Sequence, residues 1–117
     1  MKKVISCFFV FTVFCLLLVG CGSSKYVGTY IESKTEAIAE LNGEVLDSDV
    51  YQAIILRSNG KGELQDIIIK NDKIKSTWGC TWYEEEGVIY CDFNSITWTL
   101  ESKDDDLVRG STVFYKQ

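Results

Sequence analysis

The chain of 117 residues contains no histidine and no proline. Histidine is the commonest general base and the commonest ligand of catalytic zinc, so its absence excludes serine–histidine and cysteine–histidine nucleophile systems. Only carboxylates remain for acid–base chemistry, and nothing in the sequence places two of them across a cleft. We therefore expect a protein that is not an enzyme and that needs no cofactor.

Basic residues are also scarce, with 12 Lys and Arg against 17 Asp and Glu. Lys2 and Lys3 belong to an N-terminal segment that we expect to be removed. The remaining 97 residues then carry ten basic and 17 acidic side chains, a formal charge of −7. A surface of this sign repels polyanions, and the sequence has no basic stripe that could neutralise phosphates. We expect no nucleic-acid partner.

The N-terminus has the layout of a secretory signal peptide: residues 1–3 are a short cationic segment and residues 4–20 are almost entirely apolar. The sequence Leu-Val-Gly-Cys at 18–21 resembles the lipobox of bacterial lipoproteins. This resemblance implies that Cys21 receives a diacylglyceryl group and becomes the first residue of the mature protein. An uncleaved membrane helix is the alternative, but this run of 17 residues is shorter than the roughly 20 that a spanning helix needs.

These features divide the chain into a leader (1–20), a lipidated Cys21 with a short tether (21–25), and one domain (26–117). Each buried methylene of an acyl chain contributes about 0.8 kcal/mol, so two chains hold a protein firmly on a bilayer. We expect a domain on the extracytoplasmic side of a bacterial cell membrane, with the membrane as partner through the lipid on Cys21. Cys80 and Cys91 are then a pair in an exported domain, which favours a disulfide.

From Tyr26 onwards, short alternating apolar and polar runs are separated by turn residues, which is typical of antiparallel strands. The Asn-Gly pair at 59–60 predicts a type I′ hairpin turn. Residues 32–49 fit either a helix opened by a Ser-x-x-Glu capping box or a further alternating strand, and we favour the strand. We expect an all-β antiparallel meander of about seven to eight strands. The first predicted strand begins at Gly28. The later ones span 51–57, 63–69, 74–83, 88–93, 96–101 and 107–115.

Two predicted turns set the pairing around the cysteines. If residues 84–87 form a four-residue loop, Cys80 lies directly opposite Cys91, close enough for a disulfide. Two buried free thiols are one alternative, and a redox-active pair is another, which we do not favour because the spacing lacks the Cys-x-x-Cys signature. The turn at 94–95 makes Cys91 face Trp98. In this register, one face of the three strands collects the apolar and aromatic residues Trp78, Cys80, Trp82, Ile89, Cys91, Phe93, Trp98 and Leu100.

That face supplies the candidate ligand site, formed by Trp78, Trp82, Phe93 and Trp98, although the same pattern is typical of plain core. The opposite face offers a candidate contact surface at Thr81, Tyr83 and Tyr90. The acidic triplets at 84–86 and 104–106 lack the spaced oxygen ligands of a calcium loop, so we expect solvated turns and no metal site.

Short motifs along residues 26–116 resemble the small lipocalin-like lipoproteins of bacteria. They are Gly-Thr-Tyr at 28–30, Ser-Asn-Gly-Lys-Gly at 58–62, Thr-Trp at 77–78, Ile-Thr-Trp at 96–98 and Val-Phe-Tyr-Lys at 113–116. The resemblance implies a small lipocalin-like barrel or half-barrel that binds a small apolar ligand. It also implies a late arginine packed on the residue at position 30, for which Arg109 is the candidate. A protein partner of the cell envelope is the alternative, suited to a barrel with a fully packed interior.

Overall fold

The computed structural model describes residues 24–117, so the predicted leader and the lipidation site Cys21 lie outside the described residues. Eight antiparallel strands each pair with their neighbours in sequence, and the last strand pairs with the first to close a barrel. The expected all-β barrel of seven to eight strands is confirmed. The strands are β1 (Gly28–Glu32), β2 (Val50–Leu56), β3 (Lys61–Ile68), β4 (Ile74–Glu85), β5 (Val88–Asp92), β6 (Thr97–Lys103), β7 (Asp106–Arg109) and β8 (Thr112–Lys116), with helix α1 at Lys34–Glu40 and a 3₁₀ turn at Ser24–Tyr26.

The middle of the barrel is packed with side chains. Alternate residues of each strand point inwards, and these positions carry most of the large apolar residues of the domain. The Trp82 indole nitrogen donates a hydrogen bond of 2.9 Å to the Arg57 carbonyl, so the one polar atom of this buried ring is satisfied. The largest fully buried side chains are Tyr30, Leu56, Trp82, Ile89, Cys91, Leu100, Leu107 and Phe114.

The chain enters at a closed end of the barrel. The Tyr30 hydroxyl donates a 2.7 Å hydrogen bond to the carbonyl of the buried Tyr26, and burial raises the pKa of Tyr30 to about 12. Lys116 faces Tyr30 across the β1–β8 ladder, with its Nζ 5.8 Å from the ring centroid and 3.0 Å from the Lys25 carbonyl. The expectation that Arg109 packs on Tyr30 is wrong, because Arg109 ends β7 at the opposite end of the barrel.

The β4–β5 turn is shorter than expected. It contains only Glu86 and Gly87, whose φ angles of 52° and 81° are both positive, as a type I′ turn requires. Trp82 therefore pairs with Cys91, and Cys80 is the diagonal neighbour of Cys91. The predicted four-residue loop is wrong, and so is the direct opposition of the two cysteines. The β5–β6 register is confirmed, with Cys91 opposite Trp98.

Residues 34–40 form a helix, so the strand that we favoured for 32–49 is wrong. Ser33 caps the helix and its Oγ accepts a 3.2 Å hydrogen bond from the Glu36 backbone nitrogen, as in the capping-box alternative. The buried Ala37 lies on α1, and α1 contacts β2. Ala53 of β2 is also buried, although it alternates with core residues and points outwards, so the helix covers this part of the outer wall.

Two further turns differ from expectation. Among residues 58–60, only Gly60 has a positive φ (80°), and the Arg57 backbone nitrogen donates to the Lys61 carbonyl at 2.9 Å. This is a three-residue loop with glycine in the left-handed position, not a type I′ turn. The predicted single strand 107–115 is also wrong, because Gly110 (φ 62°) turns the chain and splits it into β7 and β8.

The strand connections alternate between the two ends of the barrel. The closed end carries the 3₁₀ turn and the turns at 57–60, 86–87 and 104–105. The other end carries α1 and the turns at 69–73, 93–96 and 110–111. Within residues 24–117, no helix has the length and apolar character needed to cross a membrane.

Candidate ligand-binding site

A depression of about 350 Å³ lies at the end of the barrel opposite the 3₁₀ turn. The β5–β6 turn and the first halves of β2 and β4 meet there. We name this depression the aromatic mouth. Its lining residues are Gln52, Leu64, Trp78, Phe93, Ser95, Ile96 and Trp98.

The mouth exists because β4 is much longer than β5. The β4–β5 ladder ends at the pair Thr81–Asp92, whereas β4 begins at Ile74, so the barrel wall separates below this pair. Trp78 lies in the part of β4 that pairs with β3 but not with β5, and its side chain is 46% exposed. Leu64, its partner on β3, is buried. A strand-length mismatch thus leaves a large aromatic side chain partly uncovered.

Aromatic and cationic groups form one wall of the mouth. The rings of Phe93 and Trp98 pack edge to face, with centroids 5.8 Å apart and planes at 65°. The guanidinium carbon of Arg109 lies 3.8 Å from the Trp98 ring centroid. This cation–π contact holds a positive charge beside the aromatic surface. The wall is therefore apolar and aromatic, with a cation beside it.

Gln52 supplies a polar side to the mouth. Its side-chain nitrogen donates to Asp66 at 2.9 Å, and its backbone nitrogen donates to a Glu32 carboxylate oxygen at 2.9 Å. Burial raises the pKa of Glu32, and repulsion from neighbouring carboxylates adds to this rise, while the hydrogen bond from Gln52 opposes it. Gln52 therefore brings a polar side chain into the lining of the mouth, and its side-chain carbonyl oxygen can accept a hydrogen bond.

The structure brings three of the four predicted ligand-site residues together. Trp78, Phe93 and Trp98 line the mouth, but Trp82 is 2% exposed and belongs to the packed core. Of the two interpretations of this face, the core one is therefore correct for Trp82, whose ring lies inside the barrel where β4 and β5 are paired, and Trp82 is not a ligand-site residue.

Several residues of the mouth were not predicted. Gln52 carried a usable signal, because it is a polar residue in the alternating series that continues with the inward-facing Ile54 and Leu56. No signal in the sequence indicates that Arg109 lies beside the mouth. Its contact with Trp98 depends on the turn at Gly110, which was not predicted.

The predicted contact residues lie on the outer wall. Tyr83 and Tyr90 face each other across β4 and β5 with stacked rings, at a centroid distance of 5.0 Å and an interplanar angle of 17°. Tyr83 is half exposed, and Thr81 next to this pair is also exposed. The stacked pair is therefore a solvent-facing feature, separate from the mouth.

Cys80 and Cys91 are buried free thiols in the structure. They lie on the inner side of β4 and β5, in diagonal positions of the β4–β5 ladder. For metals, residues 24–117 contain no group of three or more Cys, Asp or Glu side chains arranged to hold an ion. The acidic triplets lie at or beside the tips of the β4–β5 and β6–β7 hairpins.

Comparison of the whole chain with protein-family models, with curated proteins and with solved structures finds no match.

Proposed function

We propose that this protein is an extracytoplasmic lipoprotein, anchored through Cys21, whose barrel binds a small apolar ligand in the aromatic mouth. The observation that carries the proposal is a depression of about 350 Å³ walled by Trp78, Phe93 and Trp98. Small-molecule sites typically measure about 300–1,000 Å³ and combine apolar walls with a few polar groups. The resemblance to lipocalin-like lipoproteins supports the same function.

The groups around the mouth select for the shape and polarity of the ligand. The Phe93 and Trp98 rings suit a flat, ring-bearing molecule, since aromatic pairs favour stacked or edge-to-face contact. The Gln52 side-chain carbonyl oxygen suits a hydrogen-bond donor on the same molecule. We therefore expect a small ligand with an apolar ring and one donor group, bound without covalent chemistry.

An anchor on Cys21 would orient the aromatic mouth relative to the membrane. The described chain starts at Ser24 at the closed end, a few residues after Cys21, while the mouth lies at the other end. Three residues beyond Cys21 reach only about 10 Å. A lipid on Cys21 would therefore hold the closed end near the membrane and direct the mouth away from it. Ligands would reach the mouth from the extracytoplasmic solution.

Binding of the neutral fluorescent probe N-phenyl-1-naphthylamine tests this function. The probe should gain fluorescence with the wild-type protein, and Trp98→Ala should weaken binding by about tenfold, since an aromatic contact contributes about 0.5–1.5 kcal/mol beyond area burial. Tyr83→Ala is the matched control, because it removes an aromatic ring from the outer wall. The proposal fails if the wild-type protein gives no signal, or if both variants bind equally well.

The stacked Tyr83–Tyr90 pair favours a second candidate, a contact with a protein of the cell envelope. Tyrosine is enriched at protein interfaces because its ring is apolar and its hydroxyl remains hydrated. Placing a photo-crosslinking amino acid at position 83 in intact cells should then yield a discrete adduct that the same label at Lys75 does not give. Equal labelling from both positions would refute this candidate.

A further inference from the structure

A second depression, of about 440 Å³, lies beside the mouth on the wall between β3, β4 and β5. We name it the wall cleft. It opens where the β4–β5 ladder ends, so the same strand-length mismatch produces both depressions. The residues that line it include Gly62, Glu63, Gly79, Cys80 and Asp92.

Two glycines keep the wall cleft open around Cys80. Gly62 faces Cys80 across the β3–β4 ladder, and a Cβ built on Gly62 would lie 3.0 Å from the Cys80 sulfur. Gly79, next to Cys80 in sequence, has no heavy atom within 4 Å of the position of a Cβ. The Cys80 thiol thus lies against bare backbone on one side and beside an open depression on the other.

The two cysteines differ in access. Cys80 is 8% exposed and lines the wall cleft, whereas Cys91 is 1% exposed and is not among its lining residues. The two thiols are nevertheless close, since they occupy diagonal positions on the inner face of β4 and β5 and each shifts the pKa of the other. One sulfur is therefore approachable from solution, and the second lies behind it within reach. An attacking thiol and a resolving thiol have this arrangement.

The electrostatics of the pair support this division of roles. Interaction with the Cys91 thiol lowers the pKa of the Cys80 thiol, against the opposing effects of burial and of the nearby Asp92 and Glu63. The interaction with Cys80, together with burial, raises the pKa of Cys91. The thiolate, which is the nucleophile in thiol–disulfide exchange, therefore forms at Cys80 first.

We propose that Cys80 and Cys91 form a thiol–disulfide exchange site that reacts with a low-molecular-weight disulfide in the wall cleft. The Cys80 thiolate attacks one sulfur of the disulfide, forms a mixed disulfide and releases one thiolate. Cys91 then loses its proton and attacks the Cys80 sulfur, which expels the second thiolate. The two protons from the cysteines end on the two released thiols, so one disulfide is reduced and the Cys80–Cys91 disulfide forms.

The register of β4 and β5 makes the Cys80–Cys91 disulfide easy to reduce again. Cys80 and Cys91 are diagonal neighbours, and diagonal positions in an antiparallel pair are typically about 7–8 Å apart, compared with about 4.5–5.5 Å for directly opposed ones. A disulfide usually joins Cα atoms that are about 4.4–6.8 Å apart. Forming the bond therefore pulls the two strands from their relaxed positions, and strained disulfides are more easily reduced than relaxed ones.

Oxidised glutathione and peptide mass spectrometry test the site in the full chain. The reduced wild-type protein should acquire the Cys80–Cys91 disulfide, and Cys91→Ser should accumulate one glutathionyl group on the peptide that contains Cys80. Cys80→Ser should leave Cys91 unmodified until the protein is unfolded in urea. Equal modification of Cys91 in the folded Cys80→Ser variant would overturn the proposal, as would an unreactive Cys80 in Cys91→Ser.

A measurement on the wild-type protein avoids any dependence on how the variants fold. Iodoacetamide should alkylate Cys80 at least about tenfold faster than Cys91, because Cys80 lines the wall cleft and forms its thiolate more readily, whereas Cys91 is 1% exposed. Equal rates would overturn the proposal. So would a Cys80–Cys91 disulfide that dithiothreitol reduces only after unfolding, because that bond would be purely structural. Both readouts are independent of ligand binding at the mouth, so this proposal and the proposed function can fail separately.

Discussion

Gly62→Ala gives a direct test of the packing between β2, β3 and β4. The new Cβ would lie 2.8 Å from the Ile55 carbonyl oxygen and 3.0 Å from the Cys80 sulfur. The oxygen is backbone of the neighbouring strand, so relief requires β2 and β3 to move apart. Overpacking of this kind costs about 1–3 kcal/mol of unfolding free energy.

Gly79→Ala is the matched control, because Gly79 also lies in a strand and its Cβ would meet no heavy atom within 4 Å. Replacing glycine by alanine in a compatible conformation stabilises a protein by about 0.4–1 kcal/mol, mainly by restricting the unfolded chain. The two alanine variants should therefore differ by about 2 kcal/mol or more. In a domain of this size, 1 kcal/mol corresponds to about 4–8 °C in Tm, so the melting temperatures should differ by roughly 10 °C.

Thermal unfolding followed by circular dichroism measures both variants against the wild-type protein. The expected order of melting temperatures is Gly79→Ala at or above wild type, and Gly62→Ala clearly below it. A Gly62→Ala protein as stable as the wild type would refute the close approach of the three strands at this position. An equal loss in both variants would show that glycine is needed at both sites for a reason other than this contact.

Three further outcomes can be measured in the same way. Ile89→Ala, at a core position with 0% exposure, should lose about 2–5 kcal/mol in urea unfolding, and a loss below 1 kcal/mol would contradict a packed barrel interior. Ser33→Ala removes the cap of α1 and should lose about 1 kcal/mol, while Ser111→Ala at an exposed turn should change little. Glu32 has a raised pKa in the folded state, so its contribution to stability is full below its unfolded pKa and is lost as pH rises through the folded pKa. The Glu32→Gln variant should therefore have a higher melting temperature than the wild type at pH 7 and the same melting temperature in acid. A lower melting temperature of the variant at pH 7 would show that the folded protein needs the ionised carboxylate.

The fold class could be predicted from the sequence because strand alternation and turn residues are local signals. Five of the predicted strands, including those at 51–57 and 88–93, differ from the observed ones by only a few residues at their ends. Helix α1 was missed although its capping box was recognised. Seven helical residues form too short a periodic pattern to outweigh the alternation of 32–41, and packing against the outer face of β2 decided the outcome.

The mouth could be predicted only in part, because it depends on strand lengths and not on strand identity. Trp78, Trp82 and Trp98 alternate in the same way along their strands, and the sequence does not show which of them lies beyond the last β4–β5 pair. That pair is Thr81–Asp92. Trp82 lies within the paired region and is core, whereas Trp78 lies outside it and is exposed.

The error in the β4–β5 turn shows which conclusions depend on register and which do not. Replacing a four-residue loop by a two-residue turn shifts the pairing by two positions, and side chains alternate with a period of two. The inward face therefore keeps the same residues, including Cys80 and Cys91, so the predicted core survived a wrong loop. The neighbours across the ladder did change, and the cysteines moved from opposed to diagonal positions. Directly opposed positions suit a relaxed structural disulfide, whereas the reversible exchange that we propose for this pair is compatible with the strained bond that diagonal positions would form. The proposed role of the two cysteines therefore depends on a turn of two residues.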